Sequence, residues 1–433
     1  MNTRAMTISQ SQRATSVGAV TVAIMVLLAT WFLPGTAGGA AAVHSSARSA
    51  AMGGAYTSLA KGVEAARYNP ANLGLDGYRQ NGLELLSIGA SVTNNAFTLS
   101  DYNNYTGAVL STADKQDIMN KIPIEGLSID ADVKVSALSL ALGSFVLSIN
   151  GVGAADVNLN RDIVNLALNG NTFADTIDIT GTYSDGISYA TVGLSYGRPV
   201  YSSGTRQLAV GLTATYIHGI AVEELVELEG LVATYAAGFQ GQGSAIIRTA
   251  SGGSGFGVDI GAALKLNNTY TVGVRFENLI GSINWSKNTQ EHGYTFEFDT
   301  TTIENIEDDL VTSNDHSIDI AGFSTSLPAV MNVGFAKTSG KLLWAIDWTQ
   351  GFRSAPGTST KPRLAFGVEY RVLSFMPLRT GFMTGGDRNT AFSFGSGLKF
   401  FGFYMDMAIL TGSSLSVYSA KGANIAFSTG IQF

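Results

Sequence analysis

The sequence predicts an all-β chain, a transmembrane antiparallel β-barrel of about 14 strands. Three observations carry the prediction. Segments of about ten residues place an apolar side chain at every second position, as a wall between lipid and a wet lumen requires. The connections between them alternate long and short, as outer loops and periplasmic turns do. An N-terminal leader has the pattern of an export signal.

The leader comes first. Arg4 and Arg13 precede the apolar run Val17–Leu33; Pro34 breaks the run, and Gly, Thr and Ala residues follow to Ala42. A positive start, an apolar stretch and a small-residue region describe a signal peptide. It is assigned to residues 1–42, with cleavage after Ala37 or Ala42; a retained membrane anchor is the alternative, since a span needs about 20 apolar residues. Only this run approaches that length, which sets the chain apart from helical membrane proteins.

Composition agrees with a barrel. Charged residues make up 14% of the 433, against about 25% in an average soluble protein, while Gly reaches 51 and Pro only 8. The net charge of −7 argues against a nucleic-acid partner. The absence of Cys removes disulfides, thiolate metal sites and cysteine nucleophiles.

The strands are read at 83–92, 133–142, 144–153, 187–198, 207–218, 256–266, 270–278, 330–338, 342–350, 363–371, 377–384, 391–399, 402–411 and 424–433. Residues 81–433 thus form the barrel. The last strand is the clearest: Ile425, Phe427, Ile431 and Phe433 share one face, opposite Asn424, Ala426, Ser428, Gly430 and Gln432. An even count returns both ends to one side of the membrane. Connections 93–132, 154–186, 219–255 and 279–329 are long, whereas 143, 199–206 and 267–269 are short, the last marked by Asn267-Asn268. Tyr196, Tyr216, Tyr270, Phe276, Trp344, Trp348, Tyr370, Phe400 and Phe433 fall near strand ends, where interfacial aromatic girdles lie.

The same parity points Asp259, Lys265, Arg275, Glu277, Asp347, Glu369, Arg371, Lys399 and Asp406 inward. Charges at membrane depth face water or pair, so these either meet a ligand headgroup or fill and stiffen the lumen. No other constellation carries chemistry. His44, His218, His292 and His316 lack metal-ligand spacing. The acidic residues of 279–329 form no calcium ladder and read as a solvated loop. Gly252, Gly253, Gly255 and Gly257 lack the Lys of a phosphate loop and read as a flexible loop end. No motif sets a Ser beside a base. Neither enzyme activity nor a cofactor is expected.

Residues 43–80 do not read as a strand. Gly53-Gly54 permits a hinge or close approach, Leu59–Tyr68 suits a short helix, and Pro70 ends it, with Asn69 able to bond its own downstream backbone. Such a segment fits inside the lumen as a plug. Its run AMGGAYTSLAKGVEAARYNPANLG resembles the N-terminal signature of FadL/TodX-type hydrocarbon transporters and PorV-like outer-membrane proteins, at Gly53, Gly54, Asn69, Pro70 and Ala71. The pieces TADKQDIMNKIPIEG, RDIVNLALNGN, SYGRPV and PRLAFGVEYRVLSFMPLRTGF resemble a less characterised branch of the same superfamily. The resemblance implies a plugged fourteen-stranded barrel in the cell outer membrane. It implies passive, plug-gated uptake of small hydrophobic molecules, or alternatively a scaffold for secretion or surface assembly. The partners it implies are outer-membrane lipid, a hydrophobic small-molecule ligand and the outer-membrane assembly machinery, which would read Phe433.

Overall fold

The computed structural model describes residues 44–170, 176–235, 238–301, 311–386, 390–412 and 414–433. The assigned leader lies outside these residues. Fourteen strands form the wall. They are β1 Gly82–Asn94, β2 Leu127–Leu142, β3 Phe145–Leu159, β4 Tyr183–Ser203, β5 Arg206–Tyr235, β6 Gly238–Leu266 and β7 Tyr270–Trp285. They continue with β8 Val330–Ser339, β9 Leu342–Gly351, β10 Arg363–Leu373, β11 Met376–Gly385, β12 Thr390–Phe400, β13 Phe403–Gly412 and β14 Gly422–Gln432. Each pairs antiparallel with its neighbours in sequence, and β1 pairs with β14, so the sheet closes without a free edge. Every expected strand is present.

The outward row is apolar and the inward row small or polar, as the alternation required. In β14, Ile425 and Ile431 are exposed while Asn424, Ala426 and Ser428 are buried. Phe433 lies one residue past the strand, yet its N–H still bonds Asn81 O at 3.1 Å. Aromatic rings meet at the short-turn end: Phe145 stacks on Tyr196 at 4.6 Å, and Phe375 meets Phe400 at 5.1 Å.

The first two strands alternate weakly because both carry a bulge. The register slips between Glu84 and Leu86 in β1, and between Ser136 and Leu138 in β2. Glu84 pairs with Ser139 and Ser87 with Ser136, so the two irregularities face each other. A bulge inserts one residue and flips the parity of all that follow.

Three expectations are corrected. Residues 219–255 are no loop. They continue β5 and β6 into a hairpin that rises past the barrel rim, paired from Gln207↔Lys265 to Tyr235↔Gly238. Above the rim no lipid selects an apolar row, so the alternation fades although the ladder persists. The glycines at 252–257 sit inside β6 rather than in a flexible loop end. They make room: a Cβ on Gly253 would lie 3.0 Å from the Trp285 ring, and one on Gly219 across the ladder 2.5 Å from it. Where it is described, the connection 279–329 is also largely strand. It holds the hairpin Gln290–Thr301/Val311–Asp319, which pairs onto β6, and Phe323–Ser326, which pairs onto β7.

Helices cap the same long-loop end. They are Leu99–Tyr105 and Thr112–Lys121, each started by a reciprocal capping box, and Arg161–Asn169. Ile118 and Ile122 pack with Leu127, Val164 and Leu168, tying the first two long connections together.

Candidate functional site

Residues 44–78 fill the short-turn half of the lumen. The segment opens with α1 (Ala47–Ala51), capped by Ser46, whose Oγ accepts Ser49 N–H at 3.3 Å. Gly53 and Gly54 close it in the left-handed region, at φ +66° and +90°. Their N–H groups bond Ala50 O and Ser49 O, a termination that glycine makes without strain. The expected helix over Leu59–Tyr68 is shorter. Gly62, at φ +52°, interrupts it, leaving a 3₁₀ turn at Gly62–Glu64 and α2 at Ala65–Tyr68. Asn69 then stops α2 and caps the next turn: its Oδ1 accepts Ala71 N–H at 3.1 Å, and Pro70 occupies the first helical position, where no N–H is missed.

The wall meets this plug through inward glycines. A Cβ on Gly211 would lie 2.3 Å from Ala71 N, one on Gly197 2.4 Å from Pro70 O, and one on Gly261 2.1 Å from Asn69 Oδ1. Across the lumen, a Cβ on Gly381 would lie 2.3 Å from Gly53 N, and one on Gly367 2.5 Å from Met52 O. Gly197↔Gly211↔Gly261 and Gly367↔Gly381 are register partners, so they form two belts across adjacent strands. Of the residues carrying the family resemblance, Gly53, Asn69, Pro70 and Ala71 are pressed against the belts, while Gly54 lies against the His44 ring. Met52, Tyr56, Leu73 and Leu75 are fully buried, and Leu59 nearly so.

The inward charges hold the plug. Glu369 bonds Arg48 of the plug at 2.9 Å, Arg379 at 2.8 Å and Arg371 at 3.4 Å, and Arg379 reaches on to Asp406. Asp347 accepts the N–H groups of Tyr56 and Thr57 at 2.9 and 2.7 Å. Lys265 Nζ donates to Asp76 O at 2.8 Å. Lys399 is half-buried in β12 beside this network. Asp259, Arg275 and Glu277 sit higher: Arg275 bonds Asp259 at 2.6 Å and Glu277 at 3.1 Å.

Sequence reasoning missed Arg48, the buried pair Arg67–Glu84, and Arg379. Arg379 was available, because in β11 it alternates with outward Leu378, Thr380 and Phe382. Glu84 was hidden by the bulge beside it. Arg48 and Arg67 lie in a segment with no strand parity to read.

Above the plug lies a cavity of about 690 Å³. His44, Thr57, Arg67 and Tyr68 form its floor, and Val152, Ile187, Tyr189, Ile217 and Leu327 line its wall. His44 Nε2 is buried there without a hydrogen-bond partner among the described residues. His292 and His316 lie on the hairpin outside the barrel, and no cluster of metal-ligating side chains occurs among the described residues.

The sequence matches the model of a family of unknown function, DUF5723, over residues 77–249 and 226–407. The chain belongs to the DUF5723 family. Comparison with curated proteins gives no match. Solved structures give this DUF5723 chain its fold, that of the FadL-type outer-membrane barrels. It is similar to a TodX monoaromatic hydrocarbon channel mutant, deltaS2S3, at TM-score 0.55 and 14% identity, covering 90% of this chain and 99% of that one. It is similar to the Ralstonia pickettii toluene transporter TbuX at 0.51 and 13%, covering 90% and 98%. A Pseudomonas aeruginosa FadL homologue aligns at 0.50 and 14%, covering 92% and 100%.

Proposed function

We propose that the mature chain resides in the cell outer membrane, short turns toward the periplasm, and admits small, largely apolar molecules from outside into the cavity above the plug. The carrying observation is the cavity itself, open among the long loops and floored by the plug, inside a closed barrel with an apolar outer face. The similarity to a toluene transporter and a hydrocarbon channel supports the same reading.

Gating by the plug is part of the proposal, and magnitudes restrict its form. Expelling the whole plug would expose Met52, Tyr56, Leu59, Leu73 and Leu75 at about 1.5–3 kcal/mol each, roughly 8–15 kcal/mol in all. A micromolar ligand supplies about 8 kcal/mol, and the buried ion pairs would still have to break. Passage therefore uses a local rearrangement of the plug, with its belted parts left in place.

The test is uptake of a small apolar dye by vesicles containing the purified full chain. Entry faster than into protein-free vesicles, with a disaccharide excluded, is expected. Equal dye entry with and without the protein overturns the uptake reading. A scaffold role is the second reading; the sheet projecting beyond the rim, formed by the β5–β6 hairpin with the strands Gln290–Thr301 and Val311–Asp319, is the observation that favours it.

A further inference from the structure

Above the rim the closed wall gives way to an open sheet. Gln290–Thr301 adds to β6, and Val311–Asp319 adds to Gln290–Thr301. At the opposite margin the short strand Thr176–Asp178 adds to β5. Val311–Asp319 is paired on one side only; among the described residues no strand meets its other edge.

The backbone groups at that open edge can be assigned. Ile320 N–H bonds Thr289 O at 2.9 Å, and the ladder runs on from Asp319↔Gln290 to Val311↔Phe298 without a register shift. In an antiparallel ladder a residue that bonds its opposite number uses both backbone groups, and its neighbours along the strand point theirs the other way. Ile318, His316 and Asn314 therefore bond toward Gln290–Thr301. Asp319, Ser317, Asp315 and Ser313 direct N–H and C=O to the open side, and residues 313–319 are all exposed. An unpaired edge of this kind is a template for a further strand. The devices that commonly blunt one are missing here, since these nine residues hold no Pro, no Lys and no bulge.

Charge decides what can add. Asp315 and Asp319 share one face of the strand, four residues apart. Behind them the sheet carries Glu227, Glu229 and Glu297. Its one Lys or Arg between Gly219 and Gly255 is Arg248, which is taken up by Glu291 at 2.9 Å and Glu224 at 3.6 Å. A second copy of the same edge would set carboxylates opposite carboxylates, which destabilises a strand pair. A strand with Lys or Arg opposite Asp315 and Asp319 gains from both the backbone bonds and the charge.

We infer that the open edge of Val311–Asp319 binds an extended segment of a partner protein as an added strand, with Lys or Arg at alternate positions facing Asp315 and Asp319. This goes beyond the uptake reading, does not depend on it, and gives the scaffold reading a partner of stated chemistry.

The test uses the full chain in nanodiscs of zwitterionic lipid and three labelled nine-residue peptides, with binding read by fluorescence anisotropy. The first alternates Lys and Thr, the second alternates Glu and Thr, and the third is the Lys peptide methylated on its Lys backbone nitrogens. Methylation keeps the charge and removes the donors aimed at the edge. The Lys peptide should bind at least about tenfold more tightly than either of the others. Ser317→Pro removes an N–H that points to the open side and spares the ladder behind it, so it should lose most of that advantage. Asp315→Lys with Asp319→Lys should pass the preference to the Glu peptide. Equal binding by the Lys peptide and its methylated form, or binding by none of the three, would overturn the inference and leave the uptake reading standing. A dimer of the barrel that Ser317→Pro abolishes would assign the edge to a second copy and overturn it as well.

Discussion

At the short-turn end of the lumen a Cβ on Gly211 would land 2.3 Å from Ala71 N, whereas nearer the long-loop end one on Gly257 would come no closer than 3.5 Å to a neighbour, an ordinary van der Waals contact. Both are inward positions on neighbouring strands. Below, the missing side chain is replaced by backbone of the plug, and the lumen is solid. Above, the space stays open and becomes the cavity. A small inward residue thus says only that the wall supplies no bulk. Whether the volume is filled depends on what the rest of the chain brings to it.

The sharpest way to break this contrast is to put bulk at both heights. Gly211→Leu should prevent the plug from seating and abolish the heat-modifiable band of the folded barrel on gels. Gly257→Leu should leave that band intact and only shrink the cavity, read as weaker dye binding. Equal tolerance of the two changes would show that the belt is not a close-packed contact.

A smaller effect should follow from Glu369→Ala, which leaves Arg48 and Arg379 buried without their shared carboxylate. Breaking a buried pair costs about 3–5 kcal/mol, measured as a fall in the urea midpoint of the barrel in detergent. Asp347→Ala orphans the N–H groups of Tyr56 and Thr57, at about 1–3 kcal/mol each. Faster proteolysis or exchange at residues 52–60 should report it, with the wall strands unchanged.

The mildest test concerns the far end of the chain. Removing Phe433 should lower the amount of inserted barrel at native expression, without altering the stability of what does insert, because the side chain is 70% exposed and touches neither belt nor network. Membrane levels equal to the parent chain would count against an assembly role.

The two regions also differ in how far they could be read from sequence. The wall was legible because lipid imposes a period of two on every spanning strand, as in β10, where Leu364, Phe366 and Tyr370 face out and Ala365, Gly367 and Glu369 face in. Parity then delivered Asp347, Glu369 and Asp406 as inward charges. It failed where a bulge shifts the count at Glu84, and it has no purchase above the rim, where the strands of 219–255 lose their apolar row. Within the plug, the turn at Asn69-Pro70 was readable from local chemistry. The partners of Arg48 and Arg67 were not, since they sit 321 and 17 residues away and only the closed ring brings them together.

One contact bears on the order of events in time. The wall closes where β1 meets β14, and at that seam Ser87 and Ser428 share a hydrogen bond at 2.6 Å. Ser87 also donates to Ser45 O at 2.6 Å, and Ser428 accepts the Ala47 N–H at 2.9 Å. The N-terminal segment therefore stands behind the seam like a backing strip, gripping both margins. The last strand of the chain has two templates to find, the edge of the first strand and the segment lying under it. Mispairing of the final strand by two residues would preserve the apolar outer row but would carry Ser428 away from Ala47. The plug thus fixes a register that alternation alone leaves degenerate.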